Sequence, residues 1–175
     1  MSALIGVGCC WLVAVVFASS AVGKLRVRTA FRRSVADMAV LPARLVGPVA
    51  TAVPLAEAVA AVLLVVPPTA VVGSLLALVL LAAFTTGIVI VLRRGTEASC
   101  LCFGTTERPY AVRHLVRNGL LMVAAATGVV AAGPVADLLA TLIAIVAGAV
   151  AALMLIVSDE LLGAPAQPIR RTTRP

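Results

Sequence analysis

The chain has 175 residues, of which 62% are hydrophobic and only 12% are charged, and its mean hydropathy is +1.16. A soluble domain carries roughly a quarter charged residues, so this chain is too apolar to cover itself with a water-facing surface. The composition therefore excludes a soluble globular protein. It predicts a single all-α domain embedded in the lipid bilayer, which is its solvent and its expected partner.

The charge balance is basic, with 14 Lys and Arg against 7 Asp and Glu, a formal net charge of +7. In a soluble protein such an excess would suggest nucleic-acid binding. Here aromatic residues make up only 3% of the chain, too few for platforms on which bases stack. Basic residues also gather at the cytoplasmic ends of membrane helices. We therefore expect no nucleic-acid partner.

Five apolar stretches approach the ~20 residues that a helix needs to cross hydrocarbon. They cover residues 4–23, 45–66, 70–92, 115–132 and 134–157. Pro67-Pro68 and Gly133-Pro134 break the chain between neighbouring stretches and predict two tight helical hairpins. The fold class is thus a polytopic bundle of about five transmembrane helices. No basic residue precedes the first stretch, so we expect a retained helix and not a cleaved signal peptide.

The basic residues are distributed on one side of this bundle. Six lie between the first and second stretches, five lie between the third and fourth or just inside the fourth, and three lie in the C-terminal tail. The N-terminus and the two proline turns contain none. The positive-inside rule then predicts a multi-pass protein of the cell membrane with its N-terminus outside and its C-terminus in the cytoplasm. Residues 161–175 become a basic, proline-containing cytoplasmic tail after a transmembrane domain of residues 1–160.

The segment 25–41 has its own periodicity. Apolar residues recur at helical spacing and arginines occupy the other faces. The apolar residues are Val27, Phe31, Val35 and Met38, and the arginines are Arg26, Arg28, Arg32 and Arg33. This pattern predicts a short basic helix in the lipid headgroup layer that ends before Pro42. An ordinary basic loop explains the arginines equally well.

Small residues repeat at helical spacing on two of the apolar stretches. Because apolar burial between helices gains little in lipid, such residues favour close helix packing. They are Ala144, Gly148 and Ala152 on the fifth stretch and Ala56 and Ala60 on the second. We expect a tightly packed bundle.

Two cysteines separated by one residue, Cys100 and Cys102, follow the third stretch. Such a pair can close into a small strained disulfide, and strain makes a disulfide easier to reduce. Neighbouring arginines favour the thiolate, which is the reactive form. Redox activity is one interpretation and a structural pair is another. Metal binding needs about four ligands, which the single His114 does not complete within one chain.

The other two cysteines, Cys9 and Cys10, lie near the outer end of the first stretch. Cysteine packs well as a small apolar residue, so a packing role is the simpler interpretation. About 20 Å or more separates this pair from Cys100 at ~1.5 Å rise per residue, whereas a disulfide tolerates only ~7 Å between Cα atoms. A direct bridge would require the later pair to re-enter the membrane.

Glu57 lies near the middle of the second stretch, three residues after Pro54. An unpaired carboxylate is costly at that depth, and such residues are functional candidates. Three possibilities remain open: Glu57 is protonated and only fixes packing, it pairs with Lys24, or it faces a polar cavity. In a functional role it would handle protons for thiol chemistry.

Several of these residues together resemble the methylamine utilisation protein MauE family, which belongs with the DoxX-like redox-associated membrane proteins. The resemblance extends over about residues 4–157. It is carried by the run Cys100-Leu101-Cys102-Phe103-Gly104, by Arg113 and Arg117-Asn118 before a Leu-rich helix, by Lys24-Leu25, and by Pro54 with Glu57.

The resemblance implies a thiol–disulfide oxidoreductase or carrier that supports disulfide formation in a partner protein. In the namesake the client is the small subunit of methylamine dehydrogenase, in methylamine metabolism, served together with a thioredoxin-like protein. Cys100 and Cys102 would be catalytic, with Glu57 assisting, and no cofactor or metal is expected. The alternative is a non-catalytic membrane assembly or anchoring factor. A homo-oligomer is compatible with either function.

Overall fold

The computed structural model describes residues 1–94, 99–100, 108–109, 112–131, 133 and 137–162. Helices make up nearly all of this part of the chain. They are α1 (Ser2–Arg26), α2 (Arg28–Asp37), α3 (Ala43–Val65), α4 (Ala70–Arg94), α5 (Val112–Val130) and α6 (Leu138–Leu162), with a 3₁₀ turn at Pro67–Thr69. Two short strands, β1 (Ser99–Cys100) and β2 (Arg108–Pro109), pair antiparallel between α4 and α5.

The long helices form a ring of four with a fifth helix outside it. In the ring α1 packs against α3, α3 against α4, α4 against α5, and α5 back against α1. Among the described elements α6 packs only against α1. Helix α1 is central in the bundle and accordingly apolar. Its residues Val13, Val16 and Phe17 are each at most 2% exposed, and its first turn contains no acidic residue.

This all-α bundle has the character of a polytopic membrane protein, as the composition predicts. Four described segments are long and apolar enough to cross a bilayer: Ser2–Arg26, Ala43–Val65, Pro67–Arg93 and Leu138–Ser158. Helix α5 is not among them, because Arg113, His114, Arg117 and Asn118 make its first two turns polar. The predicted count of five spans is therefore approximate, although α5 completes the ring.

The predicted hairpin between the second and third stretches is present as a tight turn. Pro67 opens the 3₁₀ turn, where its missing N–H leaves no bond unmade. The Thr69 hydroxyl donates to the Leu63 carbonyl at 2.9 Å and to the Val66 carbonyl at 3.1 Å, so it satisfies acceptors at the end of α3. The α4 backbone then passes so close that a Cβ on Gly73 would lie 2.7 Å from the Leu64 nitrogen.

The segment 25–41 contains the helix α2 and is not an ordinary loop. The buried and exposed faces of α2 are those that the sequence predicts. Phe31 and Val35 are buried, while the three arginines of α2 are exposed. The apolar face does not simply rest on lipid, because Phe31 and Val35 cluster with Val46 at the start of α3. The helix ends before Ala39, whose φ of 50° is left-handed, so α2 folds back over the bundle.

Helices α1 and α6 approach each other closely at glycines. A Cβ added to Gly148 would lie 2.2 Å from the carbonyl oxygen of Gly8, and one added to Gly8 would lie 3.2 Å from the oxygen of Ala144. Ala152, one turn further along α6, is fully buried. The predicted stripe of small residues on α6 is therefore the surface that contacts α1, as expected for helix association in lipid.

We expect Gly148→Ala to destabilise the protein by about 1–3 kcal/mol, the usual cost of forcing an extra carbon into a packed contact. Gly119→Ala is the matched control, because a Cβ there meets nothing within 4 Å and alanine favours a helix over glycine. Thermal unfolding of the two purified variants in detergent checks this. Equal stability of both variants would contradict the close contact.

Candidate functional site

Buried polar side chains gather at the end of the ring where α1 finishes. Ser20 and Lys24 lie on α1 one turn apart, so they share a face of the helix. They are 5% and 3% exposed, and Glu57 on α3 is 1% exposed. Among the described polar side chains, only Ser34, Ser74 and Asn118 are buried to a similar degree. A lysine and a glutamate buried in an apolar bundle each require a counter-charge.

The three side chains make a closed hydrogen-bonded cluster, which we call the Lys24–Glu57 cluster. The Lys24 ammonium forms a salt bridge with Glu57 Oε1 and donates to the Ser20 hydroxyl at 2.8 Å. The Ser20 hydroxyl in turn donates to the same Glu57 Oε1 at 3.1 Å. Of the three possibilities that the sequence leaves open for Glu57, pairing with Lys24 is the one found.

The Lys24 ammonium also lies close to two aromatic rings. Its Nζ atom is 4.8 Å from the centroid of Phe84 on α4 and 5.6 Å from that of Phe31 on α2. Both distances are within the range of a cation–π contact. Lys24 therefore connects α1 to α3 by charge and to α2 and α4 through ring faces.

The local sequence helps α3 to present Glu57. Pro54 is fully buried within α3 and supplies no N–H to the turn before it, so the backbone there lacks one helical hydrogen bond. The carboxylate follows one turn later. Ala60 and Ala61 continue the same buried face and allow α1 to pack close enough for Lys24 to reach Glu57.

A cavity of about 470 Å³ adjoins the cluster, a size typical of small-molecule sites. Its walls come from α1, α3, α4 and α5, and the apolar face of α2 covers one side. Lys24, Glu57 and Ser20 line it together with Phe17, Phe31 and Phe84. The remaining lining is mostly aliphatic, with His114, Arg117 and Asn118 of α5 at the edge.

One oxygen atom of Glu57, a residue that lines this cavity, has no hydrogen-bond donor in the described part of the chain. Glu57 Oε2 is buried and accepts no hydrogen bond from any described residue. A buried carboxylate oxygen without a donor is costly, so most such atoms have a partner. Oε2 is therefore the acceptor of this cluster that still lacks a donor among the described residues.

The first cysteine pair lies at the other end of α1. Cys9 and Cys10 are both free thiols. Cys10 is 6% exposed within the main apolar core, and its Sγ atom lies 3.8 Å from the Ser74 hydroxyl of α4. A Cβ on Gly128 of α5 would collide with both groups, at 2.8 Å and 2.7 Å. This surrounding is the one that a packing role predicts.

The second pair is only partly within the described residues. Cys100 belongs to β1, with its Cα opposite that of Arg108 in β2, and β1 lies next to α2. Cys100 therefore lies at the same end of the bundle as Lys24 and the basic residues of α2. Cys102 lies outside the described residues. The fourteen residues from Cys10 to Lys24 span about 21 Å of helix.

The sequence indicates the two charges of the cluster but neither Ser20, its third member, nor most of the residues around the cavity. Ser20 could have been recognised from its spacing of one turn before Lys24. In the sequence, Asn118 stands out only as part of the Arg117-Asn118 pair before the Leu-rich helix. It is 9% exposed, lines the cavity and donates through Nδ2 to the Thr85 hydroxyl at 3.3 Å. No pattern in the sequence indicates that Phe84 meets Lys24, because that contact depends on how α4 packs.

Glu57→Leu should cost about 3–5 kcal/mol of stability, because it leaves the Lys24 ammonium buried without its counter-charge. The double variant Lys24→Met with Glu57→Leu should recover most of this loss, since it replaces both charges with side chains of similar volume. Equilibrium unfolding in detergent measures both. A double variant as unstable as the single one would show that the side chains do not act as a pair.

Residues 1–131 match a known family, described as methylamine utilisation protein MauE. No curated protein and no solved structure is similar enough to be matched. Within the described part of the chain, no three His, Cys, Asp or Glu side chains come together as a metal site would require. The matched region includes α1 to α5, the Lys24–Glu57 cluster and both cysteine pairs. The resemblance in the sequence is thereby confirmed, and the chain belongs to the MauE family.

Proposed function

We propose that this MauE-family protein is a membrane thiol–disulfide carrier that works through Cys100 and Cys102. The observation that carries the proposal is the family match, which covers the whole Cys100–Gly104 run within residues 1–131. Its partner would be a thioredoxin-like protein, and its purpose the formation of disulfides in a client. The small subunit of methylamine dehydrogenase, the client of the namesake, is the specific candidate.

The surroundings of Cys100 support this assignment. Its backbone lies outside the long helices, in a strand pair beside α2, whereas Cys10 is enclosed in the core. The residue directly opposite Cys100 in the strand register is Arg108. Of the two cysteine pairs, the second is thus the one with a member whose backbone lies outside the helical core.

The proposed exchange balances between the two proteins. A thiolate of the reduced pair attacks the disulfide of the thioredoxin-like partner, forming a mixed disulfide and releasing one partner thiolate. The second cysteine then attacks the mixed disulfide. The pair ends as a Cys100–Cys102 disulfide, and the partner gains two electrons and two protons as a dithiol. A second, dithiol protein on the path to the client then reduces the Cys100–Cys102 disulfide by the same two steps, and that protein leaves with the disulfide.

Glu57 is the proposed proton-handling group of this chemistry. One of its oxygens is held by Lys24 and Ser20, and Oε2 is buried and accepts no hydrogen bond from a described residue. Helix α2 contributes Phe31 and Val35 to that cavity and lies next to β1. Glu57 and Cys100 are thus on elements that share α2 as a neighbour.

The proposed orientation places the N-terminus outside and the C-terminus in the cytoplasm of the cell. The exposed arginines of α2 lie at the end of α1 that also holds Lys24 and Arg26, and the polar first turns of α5 border the same cavity. Basic residues from three elements therefore meet at one end of the bundle, as the positive-inside rule requires of a cytoplasmic face. Cys100 would face the cytoplasm.

Thiol trapping in glutathione buffers of defined potential tests the carrier function. We expect a Cys100–Cys102 disulfide that forms and disappears over a narrow range of potential, unchanged in a Cys9→Ser/Cys10→Ser variant. Cys102→Ser should accumulate a mixed disulfide with a thioredoxin-like protein, because the second thiol that resolves it is missing. Absence of both the disulfide and the mixed disulfide at every potential would refute the proposal.

The Cys100→Ser/Cys102→Ser variant separates this function from its alternative, a non-catalytic assembly or anchoring factor. A carrier loses client maturation in this variant, whereas an anchoring factor retains it. In the Cys9→Ser/Cys10→Ser background, an impermeant thiol reagent should label inverted membrane vesicles and leave right-side-out vesicles unlabelled. The opposite labelling pattern would reverse the proposed orientation.

A further inference from the structure

We propose that the cavity beside Glu57 is a binding site for a lipid-soluble phenol, an uncharged aromatic molecule with a hydroxyl group. The proposal goes beyond thiol exchange and uses none of the cysteines. It stands on two independent features, the free carboxylate oxygen and the aromatic lining of the cavity.

The carboxylate selects a hydrogen-bond donor. Glu57 Oε2 is buried and accepts no hydrogen bond within the described residues, while Oε1 is already engaged by Lys24 and Ser20. A ligand hydroxyl can donate to Oε2 without breaking the salt bridge. The charges of Lys24 and Glu57 cancel as a pair, so the cluster itself offers a hydrogen-bond acceptor and no net charge to a ligand.

The walls select an aromatic, apolar body. The whole chain has only four Phe, one Trp and one Tyr, yet Phe17, Phe31 and Phe84 all line this one cavity. Aromatic rings pack favourably edge to face against a further ring. The cavity of about 470 Å³ is roughly sixteen times the ~30 Å³ that a water molecule occupies in the liquid. Water would find few polar partners along such walls.

Gly87 provides a way to fill the cavity without disturbing the cluster. It lies on α4 and lines the cavity, and a Cβ at this position meets nothing within 4 Å. Leucine also favours the helix over glycine, so Gly87→Leu should fold while its side chain occupies the ligand volume. Gly119→Leu is the matched control, because Gly119 has equally open space but lies on the exposed surface of α5.

The test uses the full-length protein in lipid nanodiscs and a 2,6-dialkylphenol that carries a photoreactive diazirine. We expect saturable labelling that maps to the cavity-lining residues and is competed by unlabelled 2,6-diisopropylphenol. Its methyl ether has almost the same shape but no donor, and should compete at least about ten-fold more weakly, as the loss of a hydrogen bond to a charged acceptor implies. Gly87→Leu should lose the saturable labelling, and Gly119→Leu should keep it.

Two results would overturn the proposal. Equal competition by the phenol and its methyl ether in the wild-type protein would mean that any apolar molecule, such as a lipid chain, enters the cavity. Undiminished labelling of a folded Gly87→Leu variant would place the probe elsewhere. Labelling of the Cys100→Ser/Cys102→Ser variant should equal that of the wild type, so the binding site can be tested whether or not the thiol-carrier function holds.

Discussion

A lysine and a glutamate buried together in an apolar bundle are the constraint on which this structure depends. Either charge left buried without the other would cost about 3–5 kcal/mol. Paired through Oε1 and supported by Ser20, the two charges lock α1 against α3. The same ammonium touches ring faces on α2 and α4. Four elements of the bundle therefore meet at one side chain.

The cavity lies beside that pair. Helices α3 and α4 are drawn together at their common turn, where Gly73 meets the backbone of α3, while the opposite end of the ring has to accommodate Lys24, Glu57 and two phenylalanine rings. The apolar face of α2 then covers this wider end through Phe31 and Val35.

The two cysteine pairs divide between the two ends of α1. Cys10 is packed against Ser74 and Gly128 at the tight end, where a thiol is one small apolar group among others. Cys100 lies with the strands and the basic residues at the other end. Cys10 thus has the surroundings that a packing role predicts, and Cys100 belongs to the pair that we propose for thiol exchange.

The sequence predicts those features that depend on one element at a time. Helix positions follow from hydropathy, and the faces of α2 follow from the helical spacing of its apolar residues. The close helix contact at Gly148 follows from a stripe of small residues. Pairing between Lys24 and Glu57 was one of three open possibilities, because hydropathy does not tell which helices become neighbours. The cavity and the contact of Phe84 could not be predicted, since they depend on the angles at which four helices pack.

The ionisation state of Glu57 is the most direct test of this account. Infrared difference spectra between the wild type and Glu57→Gln, recorded in lipid at neutral pH, report the state of this one side chain. A salt bridge to Lys24 requires that the difference contain the bands of an ionised carboxylate. The carbonyl band of a protonated carboxylic acid in their place would contradict the ion pair and the structure built around it.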